Sequence, residues 1–317
     1  MPRHAPLSSQ QWARQSYKTN KKRKEKKRIM GLLGAIEAGG TKFVVAVADE
    51  NYNIVERTAF PTLDGEKTLD QVIAFFDQFD NIDAIGIAAF GPIDIVPESK
   101  TYGYVLDTPK HGWSGYDFLG RMKAWRDIPY FWTTDVNGAG WAEFETGAAK
   151  DAQNMVYLTV GTGVGAGIVS GGKLVSGYGH PEAGHIFLQK HPEDHYEGHC
   201  PFHGDNCLEG LAAGPAIEAR WHKSAKEIPD GDKAWEIEAF YLAQAALDYT
   251  MILRPEKIVF GGGVPHRETL FPLIRASFAE QMSDYLDVHD LEDYIVPVAN
   301  GDNAGILGCF YLAKTLL

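Results

Sequence analysis

With 317 residues, 44% of them hydrophobic, and a formal net charge of −12, the chain exceeds what one core usually organises and predicts two globular domains. No run of eighteen apolar residues and no apolar signal-type segment near the N-terminus occurs, and there are only three cysteines, which argues against a spanning helix, a secretory signal or a disulfide framework and for a cytoplasmic protein. Residues 1–30 carry ten Lys or Arg against the single acid Glu25, which leaves twenty basic and forty-one acidic residues and a formal charge of −21 for 31–317; that body repels nucleic acid, and the basic stretch is expected to be a disordered extension.

Folding is expected to begin at Gly31. The run "LLGAIEAGGTKFVVAVADENYNIVERTAF" divides into three β-rich segments broken at Gly39-Gly40 and at Asp49 to Asn53, which predicts a strand meander. "TLDQVIAFFDQF" has apolar residues at Leu69, Val72, Ile73, Phe75, Phe76 and Phe79, the spacing of an amphipathic helix, and "IDAIGIAAFGPID" follows as a buried strand. "YFWTT" reads as a strand that leads into a helix. "MVYLTVGTGVGAGIVSGGKLV" then repeats the opening pattern of strand, glycine turn and strand, so two related halves are expected. "WEIEAFYLAQAALDYTMILR" is a helix ended by Pro255, "KIVFGGGV" a buried strand, and "NAGILGCFYLAKTLL" a closing helix.

Three glycine turns stand at predicted strand ends: "EAGGTK" at 37–42, "GTGVGAG" at 161–167 and "GGGV" at 261–264. Glycine allows a backbone to approach a phosphate and present bare N–H groups. None of the three has P-loop spacing, and "GTGVGAG" is followed by β-type residues where a dinucleotide fingerprint needs a helix. A tight hairpin explains any one of them equally well. Together, with Thr41 and Thr162 able to donate hydroxyls, they point to a nucleotide cleft. Residues 180–210 hold six of the eleven histidines and two of the three cysteines, a composition open to a metal site, a catalytic site or a solvated polar loop.

The segments "AIEAGGTK", "TDVNGAG" at 134–140, "VGTGVGAGIV", "HPEAGH", the Cys/His cluster ending "CLEG", and "FGGGV" stand in the order found in the sugar-kinase branch of the ROK family (repressors, open reading frames, kinases). With "TPKHGW" at 108–113, the chain most resembles the zinc-containing bacterial fructokinases of that family over residues 31–317. The resemblance implies a two-lobed α/β fold of the actin/hexokinase (ribonuclease H-like) type with an interlobe active-site cleft. The first lobe would span 31–147 and be completed by the C-terminal helix 303–317; the second would span 148–302 and include a zinc-binding loop at 180–210. The implied reaction is ATP-dependent phosphorylation of D-fructose to fructose 6-phosphate, with Mg²⁺ accompanying ATP. Nucleotide contacts are expected from Gly39, Gly40, Thr41, Lys42, Thr162, Gly163, Gly261, Gly262 and Gly263. A homodimer is implied, with no membrane partner and no specific nucleic acid.

A sugar kinase needs a base for the hydroxyl proton. Asp135 follows a strand and precedes a helix, a position where an Asp by itself reads as an N-cap; the resemblance matches it to the family's catalytic aspartate instead. By the same likeness Glu182, His185 and Glu209 contact the sugar. The chain departs from the family's usual pattern at Glu37, where Asp is usual, and at Thr134, where Asn is usual. His185, Cys200, His203 and Cys207 make a set suited to closed tetrahedral Zn²⁺, implying a structural ion, whereas His191, His195 and His199 read as solvated. Cys309 reads as buried packing. Another hexose such as mannose or glucose is the nearest alternative substrate. A ROK-type sugar-sensing regulator fits less well, because thirty N-terminal residues without apolar periodicity cannot make a helix-turn-helix. A non-catalytic zinc-stabilised sugar-binding protein would not need Asp135 and three glycine turns.

Overall fold

The computed structural model describes residues 31–288 and 290–317, so the basic stretch 1–30 lies outside the described residues. In chain order the first strands are β1 (Leu32–Ala38), β2 (Lys42–Ala48), β3 (Ile54–Pro61), β4 (Ile82–Ala89) and β5 (Tyr130–Thr134), arranged β3-β2-β1-β4-β5. The first three pair antiparallel, as the expected meander requires, and β4 and β5 add in parallel beside β1. Strands β6 (Met155–Val160), β7 (Val164–Ser170), β8 (Lys173–Leu174), β9 (Lys257–Gly261) and β10 (Ile295–Pro297) repeat this plan, with β6 to β8 antiparallel and β9 then β10 parallel beside β6. The expected relation between the halves is thus one of topology.

Side chains alternate across each sheet, and the alternation decides what covers it. One face of the first sheet presents Ile36, Phe43, Val45, Ile85 and Ile87 to Leu69, Val72, Phe76 and Trp113. Full burial of side chains of this size contributes roughly 1.5–3 kcal/mol each. The other face is lined by Ala35, Ala46, Ala84 and Ala88 and receives Ile306, Cys309 and Phe310 of the C-terminal helix Ala304–Lys314. Cys309 is fully buried there, as its apolar neighbours in sequence suggest. The opposite flank of that helix, with Tyr311 and Leu312, meets Tyr157, Val169 and Val259 of the second sheet. A helix apolar all round is one buried all round.

Beside it lies helix Asp135–Glu145. The two cross where glycine faces glycine: a Cβ placed on Gly308 would stand 1.8 Å from the Gly138 carbonyl oxygen. A Cβ on Gly138 would in turn stand 2.6 Å from the Ala88 Cβ of β4, so both glycines are needed for the helices and the first sheet to approach this closely. The remaining face of the second sheet, with Val156, Leu158, Ile258 and Phe260, is covered by helices Ala234–Leu253 and Leu270–Met282. The helix expected at 68–79 runs from Gly65 to Phe76, because Asp64 caps it by accepting the Lys67 N–H at 2.9 Å. Among the described residues, no helix is long and apolar enough to cross a membrane.

Candidate active site

Parallel strands in register end together. Ala38 lies opposite Ala89, and Ala89 opposite Thr134, so the following residues, Gly39, Phe90 and Asp135, leave one edge of the first sheet side by side. Open α/β sheets bind ligands at such carboxyl ends. In the second sheet Thr159 lies opposite Gly261, which sets the 161–163 and 261–263 turns against each other. Val264 N–H donates to Val160 O at 3.0 Å, and Gly214 N–H to Gly161 O at 2.7 Å. The first turn closes as a hairpin, Gly39 N–H donating to Lys42 O at 3.1 Å, while Thr41, Lys42 and Thr162 remain exposed. Hairpin closure and an open, donor-rich turn therefore coexist at the same residues.

Asp135 opens its helix, but it is not the cap. Thr134 is the N-cap, its hydroxyl accepting the Asn137 N–H at 3.2 Å. The Asp135 carboxylate accepts the adjacent Val136 N–H, at 2.9 Å. It keeps a solvent-facing edge, yet the surrounding protein removes enough water that burial pushes its carboxyl up to about 6, against the opposing pull of that N–H and of His180. A base must be ionised to accept a proton. For a base with this value, kcat/KM is expected to rise with pH through about 6 and to fall about tenfold per unit below it; a flat profile from pH 5 to 7 would exclude Asp135 from that role. Glu37, at the end of β1, faces the same space. Burial raises its carboxyl, while Arg57 and Lys42 pull it down and Asp135 and Asp302 push it up.

The 180–210 stretch holds a three-residue helical turn, Ala183–His185, and then little regular structure before helix Leu208–Ala212. Its ligand-type side chains nevertheless converge. Single ligand atoms of His185, Cys200, His203 and Cys207 all lie within 4.8 Å of one another. His185 Nδ1 stands 3.9 Å from Cys200 Sγ and 3.7 Å from Cys207 Sγ, and His203 Nδ1 stands 3.6 Å from Cys200 Sγ. Two ligands at usual Zn–N and Zn–S lengths on a tetrahedron are about 3.6 Å apart, so donor set and spacing both fit zinc. Gly210 N–H donates to Cys207 Sγ at 3.4 Å, the kind of support a thiolate ligand receives. Both cysteines are free thiols. Among the described residues His191, His195 and His199 lie outside this cluster; the His191 ring packs on Phe240.

The cluster is joined to Asp135 through short contacts. His185 Nε2, on the far side of the ring from the thiols, lies 3.9 Å from Glu209 Oε1. Glu209 Oε2 accepts the Val164 N–H at 3.0 Å. Next along β7, Gly165 packs against Val136, the neighbour of Asp135. The "EAGH" turn fits only because Gly184 lacks a side chain: a Cβ there would stand 1.9 Å from the Val164 carbonyl oxygen. Glu182 is exposed, and its Oε1 pairs with His180 Nε2 at 2.9 Å, an interaction that lowers the Glu182 carboxyl. His180 was not among the expected site residues, although it begins the "HPEAGH" segment. It alone among these residues acts on both Asp135 and Glu182.

Residues 33–316 match the model of the ROK family. The chain is 47% identical over 286 residues to a fructokinase of Pediococcus pentosaceus, covering 90% of this chain and 99% of that one. It is 45% identical over 290 residues to a fructokinase of Streptococcus mutans serotype c, covering 90% and 98%. Among solved structures, the ROK hexokinase of Thermus thermophilus superposes with a TM-score of 0.76 at 23% identity, covering 90% of this chain and 98% of that one. The two-lobed fold expected from the sequence is the fold observed.

Proposed function

The chain belongs to the ROK family, and from that premise we infer that it transfers the γ-phosphoryl group of ATP to the 6-hydroxyl of D-fructose. The observation that carries the substrate assignment is similarity at 45 to 47% identity, over nearly the whole of each chain, to two fructokinases. The site geometry supports the chemistry. Asp135, free of capping duty, accepts the proton as the sugar oxygen attacks phosphorus. The bond from phosphorus to the β,γ-bridging oxygen breaks, and ADP leaves. Glu209, held by Val164, and Glu182, held by His180, offer carboxylates to sugar hydroxyls. The three glycine turns offer backbone donors to the phosphates, and Glu37 would help hold the Mg²⁺ that accompanies ATP and offsets the phosphate charge. Closure of the lobes would exclude water and limit ATP hydrolysis.

Zinc, held by His185, Cys200, His203 and Cys207, would serve as a structural pin, since four protein ligands leave no position for a reacting water. His185 then has two duties: one ring nitrogen faces the thiols and the other faces Glu209. The lobe boundary near residue 147 and a homodimer belong to the same proposal and rest on the family resemblance; a cytoplasmic setting belongs to it too and rests on the sequence composition. The deciding experiment is an ADP-release assay across fructose, mannose, glucose and N-acetylmannosamine. Fructose is expected to give the highest kcat/KM; a clear preference for glucose or an amino sugar overturns the assignment.

A further inference from the structure

We propose that Lys110 is a further catalytic residue, its ammonium placed to neutralise the phosphoryl group as it passes from nucleotide to sugar. This deepens the phosphotransferase reading above and rests on it. The placement follows from the strand ends. Neighbouring strands are about 4.8 Å apart, so Gly39 and Asp135 leave the sheet roughly 10 Å apart with Phe90 between them. Lys110 Nζ stands over the Phe90 ring, 5.6 Å from its centroid. It also lies 3.9 Å from the point a Cβ on Gly40 would occupy, and apart from Lys110 that point is open. Along the sheet edge the amine therefore stands at Phe90, the strand end between the one that leads into the phosphate-type turn and the one that leads into the base.

Its support is rigid. Trp113 is fully buried; its indole N–H donates to Leu63 O at 2.6 Å and its backbone N–H to Lys110 O at 3.1 Å. The Trp113 ring stacks on Phe43 at 5.6 Å and meets Phe90 edge-on at 5.3 Å. One aromatic cluster therefore fixes both the backbone that carries Lys110 and the ring beneath its amine. Among the described residues no carboxylate pairs with that amine, although residues 31–317 carry about twice as many acids as bases. A half-buried ammonium left with only a cation–π contact keeps its donors available to a visiting anion. In the transfer, charge spreads over the three non-bridging oxygens of the γ-phosphoryl group. Lys110 donates a hydrogen bond to one of them and forms no covalent bond.

The test uses the full-length chain with Lys110→Met, which keeps the stem and removes the charge, and Lys110→Arg, which keeps the charge. Wild type measured alongside reports on the parent reading: if it does not phosphorylate fructose, that reading fails and not the role of Lys110 within it. Given an active wild type, Lys110→Met is expected to lose about 10²-fold in kcat, the usual effect of removing one preorganised donor. Fructose KM and fructose binding without nucleotide should stay within about threefold, and Lys110→Arg should recover at least about tenfold of the lost kcat. Lys110→Met with unchanged kcat overturns the proposal, as does a raised fructose KM at unchanged kcat, which would make Lys110 a sugar ligand. If Lys110→Met melts early, Lys110→Arg decides: an arginine variant that melts normally and is as slow as the methionine variant overturns it.

Discussion

Asp135→Asn is expected to lower kcat by about 10²- to 10⁴-fold, the span that a positioned base usually contributes, while fructose still binds. Asparagine keeps the shape of the side chain and an oxygen for the Val136 N–H, but it cannot accept a proton. Helix Asp135–Glu145 should be undisturbed, because Thr134 supplies the cap. The melting temperature should not fall. Burial disfavours the ionised Asp135 carboxylate, and a neutral amide at that position removes the cost. Steady-state kinetics and a thermal melt on the same preparation separate a lost base from a lost fold; a variant with near-wild-type turnover would place the chemistry elsewhere.

Cys207→Ser should abolish stoichiometric metal, lower the melting temperature and reduce kcat/KM for fructose by about 10- to 100-fold, mainly through KM. Structural zinc contributes about 10–16 kcal/mol to the folding of isolated zinc-finger peptides, but the loss here should be smaller, because the loop is also held by protein contacts. Asp194 is buried under Arg220 at 3.1 Å and accepts the Tyr241 hydroxyl at 2.6 Å. Gln244 bonds both the N–H and the carbonyl of Gln189, and the Tyr249 hydroxyl donates to Ala183 O at 2.7 Å. These anchors lie on either side of His185 and ahead of Cys200, and supply none of the cluster's ligand atoms. The chain should stay folded while His185 drifts from Glu209, which accepts the Val164 N–H and is proposed as a sugar ligand. ATP affinity should change little. Elemental analysis checks the first step: one zinc per chain in wild type, none in Cys207→Ser, and full occupancy in His191→Ala and His195→Ala. A metal-free wild type with full activity would reject the zinc assignment.

Much of the frame was legible in the chain itself. Period-2 runs marked the strands of both meanders, 3.6-residue spacing marked the long helices, and the glycine turns fell at strand ends, since each of these depends on neighbours in sequence. Elements that obey weaker local rules escaped notice. Helix Leu270–Met282 carries Pro272 in its first turn, where proline costs nothing because that N–H has no helical partner, yet it reads locally as a breaker. Strand Ile295–Pro297 is three residues long and exists because β9 pairs with it. Helix Gly214–Trp221 begins Gly-Pro and also reads as a turn.

For the site, sequence order and family likeness named Asp135, the proposed sugar carboxylates Glu182 and Glu209, and the four Cys and His residues as one candidate set. Only the tertiary structure shows which of them stand together. Whether Asp135 or Thr134 capped the helix could not be read from adjacent residues that can both do so; the backbone path at the end of β5 gave the cap to Thr134 and left the carboxylate free. His180 in "HPEAGH" and Lys110 in "TPKHGW" carry no local pattern that assigns them a role. His180, forty-five residues away, comes near enough to Asp135 to favour its ionised form from the loop that follows β8, and Lys110 stands over a Phe90 ring that Trp113 meets edge-on. Spacing along a chain constrains residues within a turn or a strand. The approach of distant side chains is set by how closely sheets and helices pack, here by glycine meeting glycine at Gly138 and Gly308.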